Sequence, residues 1–188
     1  NFKVTRPDDL DRAAEVLRSI RESEMTRLLF VCTGNTCRSP MAEVIAQALL
    51  RQRGHTGILV ESAGVAAVEG IQASRGAMRA AERAELDLSQ HRARQLTAER
   101  LEAADVVLAM TPSHLAGIQR MGGGERAFLL TSYASSGSQA DPATIGGARG
   151  GVPDPFGGTD AEYQTTFDAL HELVSQALEH LTGSAGER

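Results

Sequence analysis

The sequence has few of the residues that mark several large classes of protein. Tryptophan is absent and aromatic residues make up 4% of the 188 residues, so we expect no surface that stacks the bases of single-stranded nucleic acid. No apolar run reaches the roughly 18 residues of a membrane-spanning helix, and the polar start does not resemble a signal peptide. We therefore expect a cytoplasmic protein without a nucleic acid or a membrane as partner.

Charge and cysteine content argue against two further classes. A formal net charge of −5 makes a polyanion-binding surface over the whole protein implausible, so any recognition of phosphate must be local. The two cysteines, Cys32 and Cys37, are too few for a disulfide scaffold and lack the spacing of a zinc site. We expect no metal and no cofactor, and a chemical use for the thiols.

The length suits one domain, and from Met25 onward apolar runs alternate with helical patterns. The predicted strands are 27–32, 57–62, 105–109 and 126–130, and the predicted helices are 40–53, 71–84, 112–120 and 159–182. This alternation predicts an α/β fold of three layers, a four-stranded parallel sheet with helices on both faces. Such sheets bind ligands at the carboxyl ends of their strands. The Gly- and Ser-rich stretch 131–153 is predicted to be a mobile surface loop.

Residues 1–24 are expected to form an N-terminal helix or linker outside the domain, which would span 25–188. Helical spacing of apolar residues predicts a helix over 8–23, opened by Pro7. The first ten residues are similar to the closing stretch of cytidylyltransferase-type nucleotidyltransferases, which would make the sequence part of a longer fused polypeptide with an upstream domain. An ordinary N-terminal helix is the alternative.

The segment 31–40, Val-Cys-Thr-Gly-Asn-Thr-Cys-Arg-Ser-Pro, stands between the first strand and the first long helix. Gly34 and Asn35 tolerate positive φ, so successive amide N–H groups can curl toward one centre. The helix N-terminus adds donors and a partial positive charge, and Arg38 offers a two-pronged clamp for phosphate oxygens. This field favours the thiolate of Cys32. The segment therefore predicts displacement at phosphorus through a phosphocysteine.

The Cys-x5-Arg-Ser spacing in this segment resembles the low-molecular-weight protein tyrosine phosphatase family. The resemblance implies that Cys32 is the nucleophile, that Arg38 clamps the phosphate, and that Asp154 of the Asp-Pro-Phe segment is the general acid and later activates the water. The remaining loop residues would surround the phosphoryl group; they are Thr33, Gly34, Asn35, Thr36, Cys37 and Ser39. A Walker-type nucleotide loop would need a Gly-Lys-Ser/Thr sequence, which this segment lacks.

Further matches extend the resemblance over nearly all of residues 25–188. Segment 61–64 resembles the family's Ser-Ala segment, and segment 91–95, His-Arg-Ala-Arg-Gln, resembles its His-x-Ala-Arg-Gln. The resemblance implies a supporting network with two members outside the loop, Ser62 and His91. Within the network, Asn35 would be held in a strained turn, and Ser39 would assist the thiolate.

Cys37 has two interpretations that the sequence leaves open. It is either a small apolar filler of the loop or a second thiol that traps the sulfenic acid of Cys32 as a reversible disulfide.

The specificity positions depart from the ordinary tyrosine phosphatases of the family. Those enzymes often carry Ile or Leu where Thr36 stands and two aromatics after Asp-Pro, whereas here Phe156 precedes two glycines. In both respects the chain looks like the bacterial protein arginine phosphatase branch. The Thr36 hydroxyl could orient a guanidinium, and Phe156 could offer a face for that planar cation.

We therefore expect a protein phosphatase that favours phosphoarginine over phosphotyrosine, with a phosphorylated protein as substrate and inorganic phosphate as product. A phosphotyrosine-specific phosphatase of the same family is the main alternative. An arsenate reductase on this fold would need a longer cysteine relay. A phosphopeptide-binding module without activity would have no use for both Cys32 and Asp154.

Overall fold

A computed structural model of the chain describes residues 25–136 and 150–183. Its elements in chain order are β1 (Thr26–Cys32), α1 (Arg38–Gln52), β2 (Ile58–Gly64), α2 (Arg75–Arg83), α3 (Ala98–Ala103), β3 (Val106–Ala109), α4 (Pro112–Arg120), a short 3-10 helix (Gly124–Arg126), β4 (Ala127–Leu129), α5 (Leu130–Ser136) and α6 (Asp160–Gly183). The predicted helix over 8–23 and positions 137–149 of the predicted loop lie outside the described residues. None of the described helices combines the length and apolar character that crossing a bilayer requires.

The four strands form one parallel sheet in the order β2-β1-β3-β4. Strand β1 is central and apolar along most of its length because both of its faces are covered, as is usual in parallel sheets. Phe30 belongs to the core beneath α1, α2, α5 and α6, whereas its neighbour Val31 belongs to the core beneath α3 and α4. The predicted three-layer α/β fold is confirmed.

Parallel pairing brings the carboxyl ends of the strands to one edge of the sheet. Cys32 is the last residue of β1 and pairs in register with Gly64, the last residue of β2. A Cβ at Gly64 would lie 2.5 Å from the Thr33 carbonyl oxygen. The loop after β1 can therefore pack directly against the end of β2 only because position 64 carries no side chain.

The stretch from 131 onward corrects one prediction. Instead of a surface loop, residues 130–136 form α5, in which Tyr133 and Ala134 are buried. The Tyr133 ring packs against the Phe128 ring with centroids 5.2 Å apart. The helix escaped prediction because its Ser and Thr residues resemble a loop in composition, while two buried side chains and the contact with α6 hold it in place.

Two other differences from the predicted elements concern helix starts. Helix α2 begins at Arg75 rather than near 71, because the Ser74 hydroxyl accepts the Ala77 amide as an N-cap. The short helix α3 was not predicted; Thr97 caps it through the Arg100 amide. Serine and threonine are commonly found as such N-caps because their hydroxyl oxygen accepts a backbone amide of the first turn.

Candidate active site

The loop between β1 and α1 is held in shape by the side chain of Asn35. This residue has φ of 53°, a left-handed conformation that costs free energy in a residue other than glycine. Its Oδ1 accepts the Arg94 amide at 2.8 Å, and its Nδ2 donates to Ser39 Oγ at 2.9 Å and to Ser62 Oγ at 2.8 Å. These three bonds to a fully buried side chain oppose relaxation of the turn.

Ser39 connects this support to the candidate nucleophile. Its Oγ lies 3.0 Å from Cys32 Sγ, and both residues are buried. Because the Ser39 oxygen accepts from Asn35, its own proton remains for the sulfur or for the Ala63 carbonyl at 3.3 Å, and donation to the sulfur stabilises a thiolate. The N-cap residue of α1, Cys37, makes no side-chain cap bond, so the first amides of the helix are available to an anion in the loop.

A second layer of contacts supports the loop from behind. Ser62 Oγ donates to Glu43 Oε2 at 2.5 Å, and Arg94 Nη2 donates to both Glu43 oxygens at 3.2 Å. His91 Nε2 donates to the Asn35 carbonyl at 2.8 Å. Burial lowers the pKa of His91, although the bond to that carbonyl and the charge of Glu43 act in the opposite direction. The structure thus brings Ser62 and His91 together with Asn35, and adds Glu43, which was not predicted.

Arg38 is the cation of the site and is almost fully buried, with 4% of its side chain exposed. Its Nη1 donates to the Val152 carbonyl at 3.2 Å, and its Nη2 donates to Asp154 Oδ2 at 2.6 Å. Its buried Nε has no hydrogen-bond partner among the described residues. An unpaired buried donor on a cation is costly, and an oxyanion bound in the loop could satisfy it.

Asp154 approaches the loop from the segment that precedes α6. Its carboxylate is held from two sides, since Oδ2 accepts from Arg38 and Oδ1 accepts the Phe156 amide at 3.2 Å. Cys32 and Asp154 line one cavity of about 200 Å³. The other residues in its wall are Thr33, Gly34, Thr36, Cys37, Arg38 and Phe156. The cavity therefore contains a thiol, a guanidinium and a carboxyl group.

The two predicted specificity residues also lie in this wall. Phe156 is 74% exposed, so its ring is accessible to a bound side chain. The Thr36 hydroxyl has a weak contact, 3.7 Å from Cys37 Sγ, which leaves it free to bond with a ligand.

Cys37 is buried beside the cavity and is not bonded to Cys32. Its thiol donates to Ser74 Oγ at 3.3 Å and lies 3.4 Å from the Tyr163 hydroxyl. Burial raises the pKa of Tyr163, and the contact with Cys37 adds to the effect. These polar contacts hold the thiol in place, and both the filler role and the disulfide role stay predictions.

His114, at the start of α4, was missed by the sequence reasoning. Its Nε2 lies 2.8 Å from Thr33 Oγ1 and its Nδ1 lies 2.9 Å from Thr111 Oγ1. Burial, with a contribution from the charge of Arg38, lowers the pKa of His114 to about 4. One signal was available, because the Thr-Pro helix start that precedes it follows the carboxyl end of a strand.

Comparison with known proteins identifies the family. The profile described as low molecular weight phosphotyrosine protein phosphatase matches residues 27–185. The chain belongs to this family. A protein-arginine-phosphatase of Bacillus subtilis is 38% identical to this phosphatase over 156 residues, which are 82% of this chain and 95% of that protein. The low molecular weight protein-tyrosine-phosphatase PtpB of Staphylococcus epidermidis is 32% identical over 151 residues, 80% of this chain and 95% of that protein.

Solved structures agree with this membership. The YwlE arginine phosphatase from Geobacillus stearothermophilus matches with a TM-score of 0.73 and 34% identity, covering 87% of this phosphatase and 97% of that chain. A YwlE mutant with a phosphorylated active-site serine matches with a TM-score of 0.73 and 37% identity, covering 84% and 96% of the two chains. The fold of this phosphatase is therefore that of enzymes in the family.

Proposed function

We propose that this phosphatase hydrolyses phosphoarginine side chains of proteins through a phosphocysteine at Cys32. The observation that carries the proposal is the meeting of Cys32, Arg38 and Asp154 in one cavity, with Thr36 and Phe156 in the same wall. Relatives named protein-arginine-phosphatase, each 38% identical to this chain, support the choice of substrate. The phosphorylated serine of the YwlE mutant supports a covalent phosphoenzyme.

In the first step the loop amides and Arg38 hold the phosphoryl oxygens, and the Cys32 thiolate attacks phosphorus. The S–P bond forms as the P–N bond to the guanidino group breaks, and the electron pair of that bond stays on nitrogen. Asp154 donates its proton to this nitrogen, as a general acid does for a leaving group. The Ser39 hydroxyl, 3.0 Å from the sulfur, stabilises the thiolate before the attack.

In the second step the same carboxyl group works in reverse. Water attacks phosphorus, the P–S bond breaks, and its electron pair returns to the Cys32 sulfur. The Asp154 carboxylate takes one proton of the water, and inorganic phosphate leaves. One carboxyl group is sufficient for both steps because the first leaves it deprotonated and the second restores its proton.

Substrate choice rests on Thr36 and Phe156, which line the same cavity as the nucleophile. A guanidinium could lie on the exposed face of Phe156 as a planar cation on a π-system and donate an N–H to the Thr36 hydroxyl. A phenyl ring could also pack on Phe156, and relatives that are tyrosine phosphatases favour that second candidate. Thr36 is therefore the residue on which the distinction depends, because a phenyl ring has no donor for its hydroxyl.

The proposal is tested by phosphate release from a phosphoarginine peptide with the wild type and with Cys32→Ser. We expect turnover by the wild type and almost none by the variant, which should still bind tungstate because the amides and Arg38 remain. Residual turnover above about a few per cent would show that Cys32 is not the nucleophile. A wild type that binds the peptide without releasing phosphate would instead indicate a binding module.

A further inference from the structure

A threonine of the cavity wall contacts a buried histidine through its hydroxyl, and neither residue has a role in the two steps above. Thr33 directly follows the nucleophile and lines the cavity. Its Oγ1 lies 2.8 Å from Nε2 of His114, a side chain that is 5% exposed. The other ring nitrogen, Nδ1, lies 2.9 Å from Thr111 Oγ1. Each nitrogen of a nearly buried ring therefore has one hydroxyl partner.

The contacts around Thr111 are compatible with a neutral ring that carries its proton on Nδ1. The pKa of His114 is lowered to about 4, so its ring is neutral near pH 7. A neutral ring donates at one nitrogen and accepts at the other. Thr111 Oγ1 accepts the His114 amide at 3.3 Å and can donate to Ser113 Oγ at 2.9 Å. If Nδ1–H also donates to Thr111, Nε2 accepts the proton of Thr33. The Thr33 oxygen then keeps a lone pair for a group in the cavity.

The position of this pair places it near the proton-transferring carboxyl group. The charges of Arg38 and Asp154 both act on the His114 ring, and Thr33 and Asp154 line the same cavity. A hydrolytic water has two protons, of which the general base takes one. An acceptor for the second proton would orient the water so that a lone pair points at phosphorus.

We propose that Thr33, oriented by His114, accepts a hydrogen bond from the water that hydrolyses the phosphocysteine. As this water forms its O–P bond, the P–S bond breaks and its electron pair returns to Cys32. One proton passes to Asp154, and the other remains on the product phosphate while bonded to Thr33 Oγ1. His114 is a positioning residue that neither gains nor loses a proton. The inference rests on the phosphocysteine step of the proposed function but not on which side chain is dephosphorylated.

Rapid-quench kinetics with a good-leaving-group aryl phosphate separate the formation of phosphocysteine from its decay. In Thr33→Val, decay should slow about three- to tenfold, the worth of one hydrogen bond, while formation is unchanged. His114→Asn keeps a polar atom near Nδ1 but loses the contact at Nε2, so it should show the same defect. His114→Gln places its amide near Nε2 and should restore most of the decay rate.

A double variant and two exposed controls complete the experiment. Thr33→Val combined with His114→Asn should decay no more slowly than either single variant, because both remove the same contact. Thr165→Val and His171→Asn, at exposed positions of α6, should decay like the wild type. Tungstate affinity and thermal unfolding report whether each variant keeps its fold. If Thr33→Val does not fold, the contrast between His114→Asn and His114→Gln decides.

Three results would overturn the inference: unchanged decay in Thr33→Val, losses that multiply in the double variant, or formation slowed as much as decay. Each of these results can be distinguished from a failure of the proposed function. A wild type that forms no phosphocysteine removes the intermediate itself, whereas a phosphocysteine that decays normally in the variants contradicts only the role of Thr33 and His114.

Discussion

Arg38 Nη2 and Asp154 Oδ2 lie 2.6 Å apart, although 116 positions separate the two residues in the chain. Arg38 is buried, whereas the Asp154 side chain is 48% exposed, so the carboxylate can leave this contact for solvent more readily than the guanidinium. Phosphate oxygens bound in the loop would compete with the carboxylate for the same N–H groups. The ion pair thus keeps the Asp154 carboxylate at the cavity, where it competes with a bound anion for the N–H groups of Arg38.

Replacing Asp154 by Asn tests both consequences of this pair. Loss of a general acid should slow hydrolysis about 10²- to 10⁴-fold for a substrate with a poor leaving group, and less in the first step for a substrate whose leaving group departs without a proton. Tungstate should bind more tightly, because the competing carboxylate is gone. Both effects are read from burst kinetics and inhibition constants. Equal losses across leaving groups would argue that Asp154 is structural.

Arg38→Lys tests the geometry of the clamp. A lysine keeps the charge but is a point cation without the planar fork that holds two phosphate oxygens. We expect a severe loss of kcat/KM together with weaker tungstate binding, measured by calorimetry. Arg51→Lys, at an exposed position of α1, is the matched control and should behave like the wild type. Near-normal activity in Arg38→Lys would show that charge alone suffices.

Thr36→Ile tests the proposed basis of specificity. The change removes a hydroxyl and adds apolar surface against which a phenyl ring can pack. One hydrogen bond to a charged group is worth about 1.5 to 3 kcal/mol, and tenfold corresponds to about 1.4 kcal/mol. Turnover of phosphoarginine should therefore fall about ten- to hundredfold, while phosphotyrosine turnover holds or rises. Thr36→Ser, which keeps the hydroxyl, should resemble the wild type; a parallel loss on both substrates would mean that Thr36 only shapes the loop.

The lowered pKa of His114 leads us to expect that the stability of the protein depends on pH. This pKa is lowered from 6.5 to about 4 in the folded protein, so between these values the unfolded chain binds more protons than the folded one. The free energy of unfolding should therefore fall as pH drops from about 6.5 to 4, by about 1–2 kcal/mol after allowance for solvent near the cavity. Urea unfolding of His114→Gln should lack this part of the slope. Identical slopes in both proteins would contradict the neutral buried ring.

The sequence predicted the parts of the site that lie close together along the chain. Segment 31–40 carries the proposed nucleophile, the proposed clamp and the helix start within ten positions, and the alternation of strands and helices identifies the sheet edge on which it lies. Distant members of the site were predicted only through the family resemblance, and further contacts across the fold were not predicted at all. Glu43 and His114 look like ordinary helix residues until Ser62 and Thr33 are brought beside them by the packing of separate elements.

Amino-acid composition gave a wrong prediction for a segment whose structure depends on buried side chains. Helix α5 reads as a loop because serine and threonine are common in loops, yet Tyr133 is buried in it. The alternation of strands and helices also did not predict the sheet order β2-β1-β3-β4, because it predicts parallel strands but not which of them are neighbours.

The central claim is tested most directly by kcat/KM of the wild type on two peptides of one sequence, one with phosphoarginine and the other with phosphotyrosine at the same position. The account predicts a higher value for the phosphoarginine peptide, and loss of both activities in Cys32→Ser. A higher value for the phosphotyrosine peptide would contradict the choice of substrate and leave the phosphocysteine chemistry intact. Failure to hydrolyse either peptide would contradict the proposed activity itself.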